Sequence, residues 1–280
     1  MGMAVEHLET VDANAPLARF IGVPRNFKPL KRRPVKAWRH MRRLIADKEA
    51  TDEVFHIIRA LNGDSFERAF QDFLQHPEGR ARIEQARVLP PVLDARARWM
   101  ALPEGTFGRE YAEFMEREGL TAAGLVEESL KSPESREWRG RIDPLRLWYA
   151  DRSRDTHDMF HILTGYGRDA LGEACVLSFT YPQHGRGFGL KFISWLGARE
   201  VATRVKKHTG RKLPWRAALK EAQTMGERAE LLEAVDLVGM FDMPLDEVRE
   251  TLGIGEPRAY RECHAIMRDA GVDPYGVLGA

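Results

Sequence analysis

Cysteine is scarce in this sequence, since Cys175 and Cys263 are the only two among 280 residues. They lie far apart, so they provide neither a disulfide framework nor the paired spacing of a zinc finger. Two such isolated cysteines suit a reducing compartment.

Charge of one sign and long apolar runs are lacking as well. The 43 basic and 42 acidic side chains leave a formal net charge of +1, so any attraction to phosphate must come from a local patch. No apolar run approaches the ~18–20 residues that span a bilayer. The first residues contain Glu6, Glu9 and Asp12 and no apolar stretch, which argues against a secretory signal and against a transit peptide. We therefore expect a soluble or peripheral protein.

Helical periodicity is what the chain has instead. Apolar residues recur every three or four positions through most of the sequence, whereas alternating strand patterns are scarce. Capping residues and prolines before these periods, and glycines after them, predict helices that start near residues 52, 65, 107, 121, 214, 244 and 257. We predict an all-α fold: a single domain of about ten helices over residues 25–280, preceded by a loose N-terminal arm over residues 1–24.

Residues 25–43 form a basic segment with nine Lys or Arg and no acidic residue. Apolar side chains lie between these charges: Phe27, Leu30, Val35, Trp38 and Met41. One interpretation is a solvated face whose acidic partners lie elsewhere in the fold. The other is contact with anionic lipid headgroups, which contributes ~1 kcal/mol per basic residue near the surface. Nucleic-acid binding is disfavoured because no recognised motif accompanies the patch.

The residues that could bind a metal follow Asp155 in the sequence. His157 and His161 are four residues apart, so on a helix they share one face with their Cβ atoms about 5–6 Å apart. Two imidazoles at this spacing can reach one metal ion, as in H-E-x-x-H sites. Asp158 lies about 100° further round the helix and is either a ligand or a group that orients an imidazole.

A glycine-rich break separates this pair from Glu173. On one continuous helix Glu173, twelve residues after His161, would not face the histidines well. Gly165 and Gly167 end the helix, so a second helix that starts near Arg168 can fold back and bring Glu173 to the pair.

Two histidines on an apolar helix can simply be hydrogen-bonded core residues. The adjacent Asp158 and the nearby Glu173 favour metal binding over that interpretation. Two imidazoles with carboxylates suit Zn²⁺, Co²⁺ or Fe²⁺ better than Mg²⁺ or Ca²⁺. We expect one divalent ion, with Zn²⁺ as the first choice. His184, in a later glycine-rich loop, is interpreted as a surface histidine, and Tyr166 as either a hinge residue or a wall of the site.

Three segments resemble the Coq4 family. His157-Asp158-x-x-His161, eleven residues and then Glu173 are identical to its H-D-x-x-H-x11-E motif. Residues 102–111, LPEGTFGREY, resemble its Leu-Pro-x-Gly-Thr-x-Gly-x-x-Tyr element. Residues 244–249 resemble its C-terminal helix, although Phe241-Asp242 stands where the family often has Trp-Glu. The resemblance covers roughly residues 95–255.

The resemblance implies a metal-binding and catalytic role for His157, Asp158, His161 and Glu173. It further implies ubiquinone biosynthesis, with metal-dependent oxidative decarboxylation and hydroxylation at ring carbon C1 of a polyprenylated 4-hydroxybenzoate-type precursor. The expected partners are this precursor, the pathway's other proteins, a second copy of the chain in a homodimer and a membrane surface, but no nucleic acid. In a bacterium the protein would be cytoplasmic and peripheral on the inner membrane face.

Two alternatives remain open at this stage. One is a non-catalytic scaffold that binds a prenyl lipid and holds a structural metal. The other is a zinc hydrolase, whose base would be an Asp one methylene shorter than the Glu of H-E-x-x-H. The apolar stretch of residues 188–205 is likewise open: it is either a core helix or homodimer interface, or one wall of a tunnel for the polyprenyl tail.

Overall fold

A computed structural model describes residues 31–46, 52–131 and 133–277. Within these ranges the chain consists of helices and loops without a β-strand, which confirms the all-α prediction. The first eight helices are α1 (Pro34–Ala46), α2 (Asp52–Asn62), α3 (Ser65–Gln75), α4 (Pro77–Gln85), α5 (Pro90–Leu93), α6 (Arg96–Met100), α7 (Phe107–Arg117) and α8 (Ala122–Lys131). The remaining eight are α9 (Pro133–Arg139), α10 (Pro144–Asp155), α11 (His157–Thr164), α12 (Ala170–Gln183), α13 (Phe188–Thr209), α14 (Trp215–Arg228), α15 (Leu245–Thr251) and α16 (Arg258–Asp269).

The predicted helix starts agree with α2, α3, α7, α8, α14, α15 and α16. The described residues form more helices than the expected ten because prolines start short additional ones. Pro77 and Pro133 each follow one helix and also begin the next, at the position where the missing N–H of proline is tolerated. Residues 1–24, the predicted arm, lie outside the described ranges.

The described residues divide into two compact units, of which the first takes residues 70–158 and 231–245. Its aromatic core surrounds Phe241, whose ring meets Trp99 edge-on at 4.8 Å and Phe107 at 5.1 Å. The backbone N–H groups of Phe107 and Gly108 donate to the carbonyls of Met243 and Phe241 at 2.9 and 2.8 Å. The start of α7 is thereby joined to the segment before α15. The N–H of Leu245 also donates to the carbonyl of Gly105 at 2.8 Å, so two of the family-like segments are hydrogen-bonded to each other.

The second unit takes the described residues of 29–69, 159–230 and 246–280. In this unit α12 packs against both α13 and α14. A Cβ at Gly226 of α14 would lie 2.1 Å from the carbonyl oxygen of Phe179, so only glycine allows α14 to approach α12 this closely. Gln183 and Ser178 of α12 donate to the backbone carbonyls of Gly226 and Leu219. These contacts hold α12 in place, and α12 carries Glu173.

A second apolar cluster in this unit joins α1, α2 and α13. It consists of Ala37, Met41, Ile57, Ala60 and Ile193. Although α13 buries Leu190 and Ile193 on this side, Phe188 and Trp195 on the same helix are 46% and 40% exposed. The sequence suggested a helix that is apolar around much of its circumference, whereas the structure shows an inner apolar side and exposed aromatic rings. None of the described helices combines the length and the apolar character needed to cross a membrane.

Candidate metal centre

Helix α11 presents the two histidines one turn apart, as the spacing predicts. It follows α10 after a single residue, Thr156. Met159 and Leu163 are fully buried and anchor the helix. The side chain of His161 is 0% exposed, while that of His157 is 37% exposed. One imidazole is thus inside the protein and the other lies at its surface.

A tight return connects α11 to α12. Gly165 ends α11 with a φ of +72°, a conformation that glycine adopts without strain. The carboxylate of Asp169 then caps α12 by accepting from the N–H groups of Leu171 and Gly172, both at 3.1 Å. A Cβ at Gly172 would lie 2.0 Å from the carbonyl oxygen of Gly167, so the chain can fold back this sharply only with glycine there. The predicted second helix therefore exists and starts at Ala170.

The return brings Glu173 to the two histidines. Each of His157, His161 and Glu173 offers one ligand atom, and the three atoms lie within 4.8 Å of one another. His161 Nε2 and Glu173 Oε2 are 3.5 Å apart. Two ligands bonded at about 2.0–2.1 Å to one tetrahedral ion are separated by about 3.4 Å, so this pair already has the spacing of a metal site.

The hydrogen bond of His161 fixes which ring nitrogen can bind a metal. Its Nδ1 lies 3.0 Å from the carbonyl oxygen of Tyr166. A carbonyl can only accept, so Nδ1 carries the proton and the lone pair lies on Nε2, which faces Glu173. Backbone carbonyls orient metal-binding histidines in this way in many sites. The residues present therefore fit one divalent transition-metal ion.

Asp158 is adjacent to this group but does not belong to it. Its side chain is largely buried, and its Oδ1 lies 3.6 Å from Nδ1 of His157. Burial, followed by the charge of Asp158, raises the pKa of Tyr111 well above its ordinary value. Of the two roles left open by the sequence, this geometry favours orientation of His157 over direct ligation.

Arg168 is a neighbour of Glu173 to which the sequence reasoning gave no role. Its Nε lies 3.8 Å from Oε1 of Glu173, whereas Oε2 of the same carboxylate faces His161. The side chain of Arg168 is 34% exposed, so a ligand can reach the guanidinium. The sequence could have indicated this contact, because Arg168 lies between the glycine break and Glu173. The site thus places a cation beside the carboxylate of Glu173, a candidate metal ligand.

The structure places His184 away from the candidate site and Tyr166 beside it. His184 ends α12 eleven residues after Glu173, about 16 Å along the helix, and its ring meets that of Phe66 edge-on. It is therefore remote from Glu173 and is not part of the candidate metal-binding group. The ring of Tyr166 is 1% exposed and packs on Tyr260, so its backbone carbonyl is what serves the site.

Fold and site together define an all-α protein in which two consecutive helices present two imidazoles and a carboxylate to one candidate metal position. Residues 37–258 match the family described as "Coenzyme Q (ubiquinone) biosynthesis protein Coq4". The chain belongs to this Coq4 family of ubiquinone biosynthesis proteins, which confirms the resemblance.

Individual relatives agree with this assignment. The mitochondrial ubiquinone biosynthesis protein COQ4 homolog of Bos taurus is 30% identical over 183 residues, which cover 65% of this chain and 62% of the bovine protein. The corresponding coq-4 protein of Caenorhabditis elegans is 29% identical over 177 residues, or 62% and 68% of the two chains. The chain thus spans less than two thirds of the bovine relative's length.

The fold is also found in a solved structure. The crystal structure of a proposed ubiquinone biosynthesis protein from Nostoc punctiforme superposes with a TM-score of 0.55 at 19% identity. The similar region covers 80% of this chain and 99% of the Nostoc chain. At this identity the likeness concerns the fold alone.

Proposed function

We propose that this protein is a metal-dependent enzyme of ubiquinone biosynthesis that acts on a polyprenylated 4-hydroxybenzoate-type precursor. The proposed reaction replaces the carboxyl group at ring carbon C1 by a hydroxyl group. The observation that carries the proposal is the group of His157, His161 and Glu173, whose ligand atoms lie within 4.8 Å of one another. Membership of the Coq4 family supplies the pathway.

The proposed metal is one divalent ion, with Zn²⁺ as the first choice and Co²⁺ or Fe²⁺ as the alternatives. Such an ion supplies a Lewis acid for a carboxylate or phenolate oxygen of the substrate. The protein's own contribution is to hold the ligands. Tyr166 keeps His161 in the tautomer with Nε2 available, and Asp158 lies against Nδ1 of His157.

Arg168 is suited to the substrate's negative charge. A guanidinium presents a planar fork of donors that matches a carboxylate. Arg168 lies beside Glu173 and is partly exposed, so its guanidinium can hold the carboxylate of the precursor next to the metal-binding residues. The site would thereby combine a cation that positions the substrate's carboxylate with a Lewis acid that polarises a substrate oxygen.

The direct test is turnover by the purified protein. The net change is loss of CO₂ and gain of one oxygen atom at C1, so the assay supplies dioxygen and a reductant with precursor labelled by ¹³C in its carboxyl group. Protein loaded separately with Zn²⁺, Co²⁺ and Fe²⁺ is compared with chelated protein, and labelled CO₂ is measured. Release only by a loaded form supports the proposal. Stoichiometric metal without release in any form would favour the non-catalytic scaffold.

We also propose a peripheral membrane contact through α1, because a polyprenyl tail resides in the bilayer. The basic segment was interpreted either as a face with acidic partners or as a lipid-binding surface, and each interpretation describes part of it. His40 and Arg43 pair with Glu53 of α2, as expected of a face with acidic partners. Val35 and Trp38, in contrast, are 68% and 61% exposed on a side of α1 rich in basic residues. Exposed apolar side chains among cations are typical of surfaces that bind anionic membranes.

Homodimer formation and contact with the pathway's other proteins remain proposals. The exposed rings of α13 offer one described surface suited to such contacts. Phe188 stacks on Phe192, with centroids 6.0 Å apart, and Trp195 meets Trp215 edge-on at 6.2 Å. A partner chain or the prenyl tail would shield these rings from water.

A further inference from the structure

The return between α11 and α12 is held by a helix from the far end of the chain. Tyr260 and His264 lie on α16. The backbone N–H of Gly167 donates to the hydroxyl oxygen of Tyr260 at 2.9 Å. That hydroxyl in turn donates to the carboxylate of Asp169. One phenol therefore binds two points of the return at once.

Asp169 transmits this contact to the metal-binding carboxylate. Its Oδ2 meets Tyr260 and lies 3.2 Å from Nε2 of His264, while its Oδ1 accepts from two N–H groups in the first turn of α12. The N–H of Glu173 donates to the backbone carbonyl of Asp169 at 2.9 Å. The start of α12, and with it Glu173, is thus tied to α16.

The same tyrosine also supports the histidine end of the return. The rings of Tyr166 and Tyr260 meet edge-on with centroids 5.3 Å apart. The carbonyl of Tyr166 accepts from Nδ1 of His161. Tyr260 therefore supports the loop that orients His161 through its ring, and the helix that carries Glu173 through its hydroxyl.

Burial makes these contacts well defined. Tyr260 and Asp169 are 4% and 2% exposed. Burial and the charge of Asp169 raise the pKa of Tyr260, so the phenol keeps its proton. Although burial opposes ionisation of Asp169, the contacts with His264 and Tyr260 hold the pKa of this carboxyl below its ordinary value. A protonated phenol thus faces an ionised carboxylate, and such charge-assisted hydrogen bonds are strong.

We infer that Tyr260 is a positioning residue for the metal centre: it holds the return so that His161 Nε2 and Glu173 Oε2 face each other. The inference rests on the metal site of the proposed function. Tyr260 lies outside the H-D-x-x-H-x11-E motif and beyond residues 37–258 that match the family. Outer partners of metal ligands typically change metal affinity by about 10–100-fold when they are removed.

The test is Tyr260→Phe, which keeps the ring and removes the hydroxyl. The dissociation constants for Zn²⁺ and Co²⁺ are measured by competition with a chromophoric chelator, and the visible spectrum of the Co²⁺ form reports the ligand geometry. We expect about 10–100-fold weaker binding and a changed Co²⁺ spectrum, with helical circular dichroism retained. Equal affinity and an unchanged spectrum would overturn the inference.

Tyr149→Phe is the matched control. Tyr149 is also fully buried, and its hydroxyl donates to the buried carboxylate of Glu233, which is not one of the candidate metal ligands. The control removes a comparable hydrogen bond, so it separates loss of stability from loss of metal binding. We expect its metal affinity to stay within about twofold of the parent, since the hydrogen bond that it removes is to Glu233 and not to a candidate ligand.

A second variant decides the matter if Tyr260→Phe does not fold. Asp169→Asn keeps a side-chain oxygen to cap α12 but replaces the oxygen that accepts from Tyr260. Weakened metal binding in this variant supports the inference, and parent-like binding overturns it. If the parent protein itself binds no metal, the proposed metal site fails, and the inference fails with it. If the parent binds metal and both variants bind it equally well, the inference about Tyr260 fails while the proposed metal site stands.

Discussion

At the scale of single residues, the candidate site divides into proposed ligands and groups that orient them. His161 and Glu173 already stand at the spacing of two ligands on one ion, and His157 completes the group. Asp158 is largely buried and contacts His157 rather than joining the three. In the hydrolase alternative, Asp158 would act as the general base and would have to reach a metal-bound water. Its carboxylate instead lies next to the imidazole of His157, which disfavours this alternative.

Substitution distinguishes the two kinds of residue. We expect His157→Ala/His161→Ala to abolish stoichiometric metal binding, because two imidazoles provide much of the affinity. Asp158→Asn should bind metal about 10–100-fold more weakly without losing it, since an orienting group is changed. Elemental analysis and chelator competition measure both, with circular dichroism to confirm folding. His184→Ala is the control, because this histidine lies at the far end of α12.

Complete loss of metal from Asp158→Asn would identify Asp158 as a ligand. Full retention of metal by the double histidine variant would instead show that the metal-binding site lies elsewhere in the chain.

Arg168 makes a separate prediction about substrate. If its guanidinium holds the substrate carboxylate, Arg168→Gln should raise KM by about 10–100-fold, which is the range for a lost hydrogen bond to a charged group. Arg168→Lys keeps the charge but not the fork, so it should restore only part of the affinity. Metal content is measured in parallel because Arg168 also contacts Glu173. An unchanged KM in a fully metal-loaded Arg168→Gln protein would exclude the clamp.

At the scale of elements, the return between α11 and α12 brings Glu173 to His157 and His161. Gly172→Ala would place a Cβ 2.0 Å from a backbone carbonyl oxygen that has no flexible side chain to move aside. We expect a loss of about 1–3 kcal/mol in the free energy of unfolding, measured in urea, together with weaker metal binding because the first turn of α12 carries Glu173.

Gly197→Ala on α13 is the matched control. Its added Cβ would meet only Ala174, at an ordinary 3.8 Å, and alanine is the better helix former. This variant should be neutral or up to about 1 kcal/mol more stable. Equal stability and equal metal affinity for both variants would mean that the return tolerates a Cβ.

The elements that the sequence predicts well are those set by local chemistry. The end of α11 was visible because glycine favours the conformation that ends a helix, and a second helix near Arg168 was the hypothesis that let Glu173 face the histidines. Contacts between distant segments were not visible. Nothing local indicates that Tyr260 meets Asp169, or that Thr106 forms a bridge with Pro244. The rotation of a helix is also set by packing, so the exposure of Trp195 could not be derived from its apolar neighbours.

At the scale of the whole molecule, near-neutral charge hides a local asymmetry. The chain carries a formal net charge of +1, yet the described part of the basic segment presents Lys31, Arg32 and Arg33 as exposed side chains. On α1, Ala37 and Met41 face the core while Trp38 faces outward. Charge and an exposed aromatic ring thus coincide on one surface, and Phe27 and Leu30 of the same segment lie outside the described residues.

This asymmetry predicts salt-sensitive binding to anionic membranes. The Debye length falls from ~10 Å at 0.1 M to ~3 Å at 1 M ionic strength, so high salt should release the protein from vesicles. We expect co-sedimentation with anionic but not zwitterionic vesicles, and marked loss of binding for Lys31→Glu/Arg32→Glu/Arg33→Glu. The control with the same change of charge is Lys206→Glu/Lys207→Glu/Lys212→Glu, at exposed positions after the aromatic part of α13. If the two triple variants lose binding equally, net charge alone explains the effect. If the α1 variant sediments like the parent, α1 is an ordinary solvated face.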